Sequence, residues 1–190
     1  GEPAKELYDN ARTLLDRIVD DKLFQAKAVY GFWPANSVND DIILYENDDL
    51  QTEVNRLHTL RQQTRRKGQN YFRSLADYVA PQDSGRADYV GVFALTTGFG
   101  CGELAAEFDA QTDDYNSIMV KALADRLAEA FAEKLHRQVR VQWGYGSTEG
   151  LTNEELIAES YRGIRPAPGY PAQPDHTEKQ TIWELLDVEV

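Results

Sequence analysis

The chain is poor in the residues that build metal and redox sites: its 190 residues include one cysteine, one methionine and three histidines. A single cysteine excludes an internal disulfide and suits a reducing compartment, which points to the cytoplasm. Cys101, flanked by Gly100 and Gly102, has no second cysteine for a CxxC motif and reads as an incidental thiol. His176 has no cysteine or second histidine nearby, so it reads as a hydrogen-bonding residue and no metal is expected. Positive charge is scarce too. Lys and Arg number 20 against 32 Asp and Glu, a formal net charge of −12, which argues against a nucleic-acid partner because phosphate binding needs clustered cations. No apolar run approaches the roughly 20 residues of a membrane-spanning helix, and Gly1-Glu2-Pro3 is no signal peptide. What remains is 42% apolar and 11% aromatic residues, enough to argue against disorder and to bury the core of one soluble, acidic domain over residues 1–190.

Hydrophobic spacing supplies the elements. Leu7, Ala11, Leu14, Leu15, Ile18 and Val19 predict an amphipathic helix from Ala4 to about Asp21. A strand over Ala26 to Trp33 is expected to end in a turn at Pro34-Ala35-Asn36-Ser37. Asp41 to Tyr45 is the next strand, and a polar turn at Asn47-Asp48-Asp49 joins it closely to Thr52–Leu60, which favours antiparallel pairing. Arg61 to Lys67 is a basic cluster, most simply a solvated loop or helix end. Asp88 to Thr96 is apolar enough to be a central strand.

The longest helix, Asn116 to His136, is expected to carry Ile118, Leu123, Leu127, Ala130, Phe131 and Leu135 on one face. Asp125, Ala128, Glu129 and Ala132 form the opposite stripe, either a solvated face or, with its small residues, a surface open to close approach. Val139 to Tyr145 reads as a further strand. Capping-box patterns at Thr152/Glu155 and Thr177/Gln180 open two short helices, the first leading to Glu159 and the second holding Ile182, Trp183, Leu185 and Leu186. This order fits an α+β fold with a mainly antiparallel twisted sheet flanked by helices.

The most unusual stretch is Arg162 to Lys179, RGIRPAPGYPAQPDHTEK, which holds Pro166, Pro168, Pro171 and Pro174 of the seven prolines in the chain. Proline fixes φ and removes a donor, so the run is neither helix nor central strand. Successive prolines predict a stiff, extended backbone that holds Arg165 and Tyr170 at fixed offsets. Such a loop suits a small zwitterionic ligand, because the guanidinium fork matches a carboxylate. The plainer account is a proline-rich turn at a domain edge, with Arg165 a surface charge.

RGIRPAPGYPAQPDHTEK followed by TIWELLDVE resembles the reactivation domain of cobalamin-dependent methionine synthase. GFWPANSVNDDIILY, LRQQTRRK, LADYVAP, ADYVGVFA, DDYNSIMVKALADRLAEAFAEKLH and NEELIAESYRGIRPAPGYP read the same way. The resemblance implies a domain that binds S-adenosylmethionine (AdoMet) and supports reductive remethylation of oxidised cobalamin, within a methyltransferase that makes methionine from homocysteine and methyltetrahydrofolate. It implies that Arg165 pairs with the AdoMet carboxylate and that the backbone at Ala167 and Gly169 meets the adenine and ribose. Tyr170 completes the RxxxGY motif, and Glu129 and Glu159 line the site near the sulfonium. Asp125 and Glu129 would face the separate cobalamin-binding module. Flavodoxin or a flavin reductase would donate the electron. No residue acts as a catalytic base, and the fragment alone is not expected to make methionine. Two departures accompany the likeness. Gln173 stands where the family has cysteine, and the family's extreme N- and C-terminal segments, an Asp-Trp segment and a glycine-aromatic segment, find no match in these 190 residues. The competing expectation is a non-catalytic protein-docking module that does not bind AdoMet.

Overall fold

In the computed structural model, residues 1–65, 67–144 and 146–188 are described. The elements are α1 (Glu2–Asp20), β1 (Gln25–Val38), β2 (Asp41–Tyr45), β3 (Glu53–His58), β4 (Asp88–Phe99), α2 (Cys101–Asp109), α3 (Asp114–Trp143), α4 (Asn153–Ile157) and α5 (Glu178–Leu185), with short 3-10 turns at Leu75–Tyr78 and Gln82–Ser84. The strands form a sheet of order β3-β2-β1-β4, the α+β architecture expected. Contacts divide the chain into two units. Unit 1 comprises Gly1–Ala28 with Leu95–Ile157, and unit 2 comprises Val29–Ala94 with Ala158–Val190.

Unit 2 is built on β2, whose Ile42 and Leu44 are fully buried. It pairs antiparallel with β1 in the register Ala35↔Leu44 to Val38↔Asp41, and with β3 in the register Asp41↔His58 to Tyr45↔Glu53. Ala35, Leu57, Ala76 and Val79 close this core, with Ile182 and Leu185 of α5 against it. The turn expected at Pro34–Ser37 is not there. β1 runs on to Val38, and the chain reverses at Asn39, with φ of +57°. Pro34 is tolerated because it lies just before the first β1–β2 pair. The polar residues that looked like a turn are buried and spoken for: Asn36 Nδ2 donates to the Ala80 and Arg86 carbonyls, and Ser37 Oγ to that of Val79. β4 is also misjudged as central. It lies at an end of the strand order, and only Val92 and Thr97 along it are buried.

Unit 1 packs α2 along α3, with α1 against α3 as well. Its core is Leu14, Ile18, Leu104, Ala105, Met119 and Val120. α2 is an element that the glycines around Cys101 concealed. Gly100, with φ of +90°, is its N-cap, and open space surrounds Gly102. α3 starts at an Asp113 cap, whose carboxylate accepts from the Asn116 N–H at 3.1 Å. Its buried side differs from the predicted face. Met119, Val120, Ala124, Leu135 and Val139 are buried, whereas Ile118 is 66% exposed. The helix also continues through Val139–Trp143, where β-forming residues predicted a strand. Nothing between Lys134 and Trp143 breaks a helix, and Gly144, with φ of +107°, ends it. Tyr145, the last residue of that predicted strand, lies outside the described residues.

Candidate functional site

The proline-rich stretch folds as two consecutive tight turns, not as an extended rod. The Tyr170 N–H donates to the Ala167 carbonyl at 3.0 Å, closing a turn with Pro168 second and Gly169 third. Gly169 has φ of +103°, the value a type II turn needs at that place. The Gln173 N–H then donates to the Tyr170 carbonyl at 2.9 Å, with Pro171 second in the next turn. A bond from the Gly169 N–H to the Gln173 carbonyl, 2.8 Å, staples the turns together. Pro168 and Pro171 thus sit where the fixed φ of proline favours a turn. Pro-Gly and Tyr-Pro-Ala were the readable signals, and reading the prolines as a continuous run hid them.

The double turn is seated within unit 2. The Ala172 carbonyl accepts from the Leu75 N–H at 2.8 Å. The His176 ring fills the space beside Gly169, where an added Cβ would lie 2.2 Å from its Cε1. Sequence reasoning read His176 only as a hydrogen-bonding residue and missed this role as a shelf. The capping box expected at Thr177/Gln180 does not form. Instead the Asp175 carboxylate accepts from the Thr177 N–H and hydroxyl, both at 2.8 Å, and these bonds hold its pKa below the usual carboxylate range. One residue on, buried Glu178 accepts from the His58 N–H at 3.1 Å and ties α5 to β3, and burial pushes its carboxyl upward.

Arg165 is half-buried at the entry to the first turn, and Ala167, Gly169 and Tyr170 are exposed on it, Tyr170 by 63%. The two turns consume the N–H groups of Gly169 and Tyr170 and the carbonyl of Ala167. The Ala167 N–H and the Gly169 carbonyl have no partner among the described residues. Gln173 is 2% exposed, and its Nε2 likewise finds no acceptor there. Glu159 is exposed, two residues past the end of α4, with φ of +57°. The capping box at the other end of α4 forms as predicted, with the Glu155 N–H donating to Thr152 Oγ1 and the Thr152 N–H to Glu155 Oε2.

The remaining candidates belong to unit 1, on α3. Asp125 and Glu129 are exposed, with Ala128 and Ala132 half-buried beside them, so the stripe forms as the spacing predicts. Glu129 accepts from Arg126 at 2.8 Å, a solvated pair of little energetic weight.

The basic cluster is smaller than its sequence. Arg61 bridges Asp40 at 2.6 Å and Asp77 at 2.7 Å and donates to the Phe72 carbonyl, so its guanidinium is held charged and already used. Arg65 and Lys67 are exposed, and Arg66 lies outside the described residues. Among the described residues, no group of three or more His, Cys, Asp or Glu side chains is placed to hold a metal. No helix among them is long and apolar enough to cross a membrane.

Comparison with known proteins places this arrangement. A crystal structure described as the MetH reactivation domain bound to AdoHcy superposes with a TM-score of 0.89 at 56% identity, over 100% of this chain. The chain spans 58% of the length of that solved chain. The family described as vitamin B12-dependent methionine synthase, activation domain, matches residues 1–190, so the chain belongs to the activation-domain family of the vitamin B12-dependent methionine synthases.

Proposed function

We propose that the chain binds AdoMet on the double turn and presents it to a separate cobalamin-binding module for reductive remethylation. The observation that carries this reading is the pair of unspent backbone groups beside a half-buried arginine. The Ala167 N–H and the Gly169 carbonyl are a donor and an acceptor on an exposed turn, a pattern that suits an adenine edge. Arg165 supplies the fork for the ligand carboxylate, and Tyr170 gives an exposed aromatic face beside them. The related domain carries AdoHcy, which is AdoMet without its methyl group. Cobalamin held by the separate module would supply the electron pair that accepts the methyl group, and the ligand left on this chain would be the thioether. The domain needs no base for this step, only position. Glu159, in the same unit as the double turn, would add negative charge favourable to the sulfonium.

Calorimetric titration with AdoMet tests the assignment. Arg165→Lys keeps the charge but loses the planar fork, so affinity is expected to fall by about 1–3 kcal/mol. Equal binding by the variant would remove Arg165 from the carboxylate. Complete absence of AdoMet binding by the parent chain would favour the docking-module alternative.

Two partner surfaces belong to the same proposal. Asp125, exposed on α3, is assigned to the cobalamin module. Asp125→Ala should weaken docking of that module while leaving AdoMet titrations nearly unchanged, and the opposite pattern would show the roles exchanged. For the flavodoxin or flavin reductase donor, the usable basic patch reduces to Arg65 and Lys67, with Arg66 also assigned to it, because Arg61 is neutralised. Reversing Arg65 and Arg66 to Glu should slow association with an acidic flavodoxin at low salt and have little effect at high salt, since rim charges mainly steer encounter. Unchanged stopped-flow rates at low salt would discard the patch.

A further inference from the structure

A cavity of about 300 Å³ opens at the C-terminal end of α3 and is formed wholly within unit 1. That volume is at the lower end for small-molecule sites. Val141, Leu151 and Leu156 give it apolar walls, and Arg137, Arg140 and Glu149 give it charge. Arg140 is 3% exposed and ion-paired with Glu149, its Nε donating to Glu149 Oε2 at 3.1 Å, so these two charges cancel. Arg137 is different. It is exposed and, like Arg65, Arg73 and Arg86, pairs with no carboxylate among the described residues, but of these four it is the one that lines this cavity. In a chain of net charge −12, an arginine left without a carboxylate at a cavity mouth stands out.

A helix C-terminus ordinarily repels anions through its free carbonyls. Here that repulsion is blunted, because the Gly146 N–H donates to the Arg140 carbonyl at 3.0 Å and the Gly144 N–H to that of Val141 at 3.1 Å. Gly146 lies so close that an added Cβ would be 2.7 Å from the Val141 nitrogen, so the wall is seated directly on the helix backbone. The cavity therefore offers the Arg137 guanidinium beside a lining that is polar in part and apolar at Val141, Leu151 and Leu156.

We infer that this cavity binds a small monocarboxylic acid with a short aliphatic chain, its carboxylate on Arg137 and its chain against Val141, Leu151 and Leu156. Inorganic phosphate fits less well. At neutral pH it is a mixture of monoanion and dianion, and it would leave the apolar walls without a partner.

Amide chemical shifts of the 190-residue chain, titrated with sodium butyrate, sodium phosphate and sodium chloride at matched ionic strength, test this. Butyrate should give saturable shifts at Val141, Gly150 and Leu151, with a Kd on the order of 1 mM for six heavy atoms. Arg137→Ala should weaken that binding at least tenfold, while Arg12→Ala, remote on α1, leaves it unchanged. Leu151→Ser should weaken butyrate more than acetate. Absent or non-saturating shifts would overturn the inference. So would phosphate binding as tight as butyrate, or an Arg137→Ala chain that binds butyrate normally.

Discussion

Replacing Gly169 by alanine is expected to lower both the stability of unit 2 and its affinity for AdoMet. Two penalties act at this position. A φ of +103° strains any residue with a Cβ, and the new carbon would meet the His176 ring at 2.2 Å. Backbone strain of this kind costs on the order of 1–3 kcal/mol, and the clash adds to it unless the imidazole moves. Urea unfolding of Gly169→Ala, His176→Ala and the double variant separates the parts. If the ring is the shelf, the double variant recovers the clash but not the strain, and the two single losses are not additive. Strict additivity would mean that the ring yields freely and does not position the turn.

The second large effect is expected at the buried ion pair of α3. Glu149→Ala would leave the Arg140 guanidinium, 3% exposed, without its carboxylate. Breaking such a pair from one side costs about 3–5 kcal/mol, whereas replacing both partners by apolar residues of similar volume is often neutral. Arg140→Met with Glu149→Leu should therefore unfold near the parent midpoint, and Glu149→Ala well below it. If the single variant lost under about 1 kcal/mol, comparable to an exposed pair, the guanidinium would have to reach water in solution.

These expectations mark where sequence reading succeeded. Strand β2 and the Thr152 capping box were legible because both are local: DIILY is a run of β-formers between polar turns, and a capping box needs only four residues. Motif resemblance found the family. Long-range relations defeated local patterns. Asn36 and Ser37 looked like turn residues because their acceptors lie more than 40 positions away, at Ala80, Arg86 and Val79. Arg61 looked like part of a free cationic patch because Asp40 and Asp77 reach it from different segments. The strand expected at Val139–Tyr145 failed because a helix that has run since Asp114, about seven turns, extends through β-branched residues more easily than it stops. In the proline-rich loop, counting prolines predicted an extended backbone, whereas the chain closes two consecutive turns.

The double turn also bears on how heat and time enter ligand binding. Its N–H groups at Gly169, Tyr170 and Gln173 are bonded before any ligand arrives. Amide hydrogens there should exchange slowly with deuterium despite the exposure of the loop, and AdoMet should change their protection little. A ligand meeting a ready-made surface loses less conformational entropy than one that must first order a coil. Association should accordingly show a single concentration-linear phase, with no slow isomerisation following it.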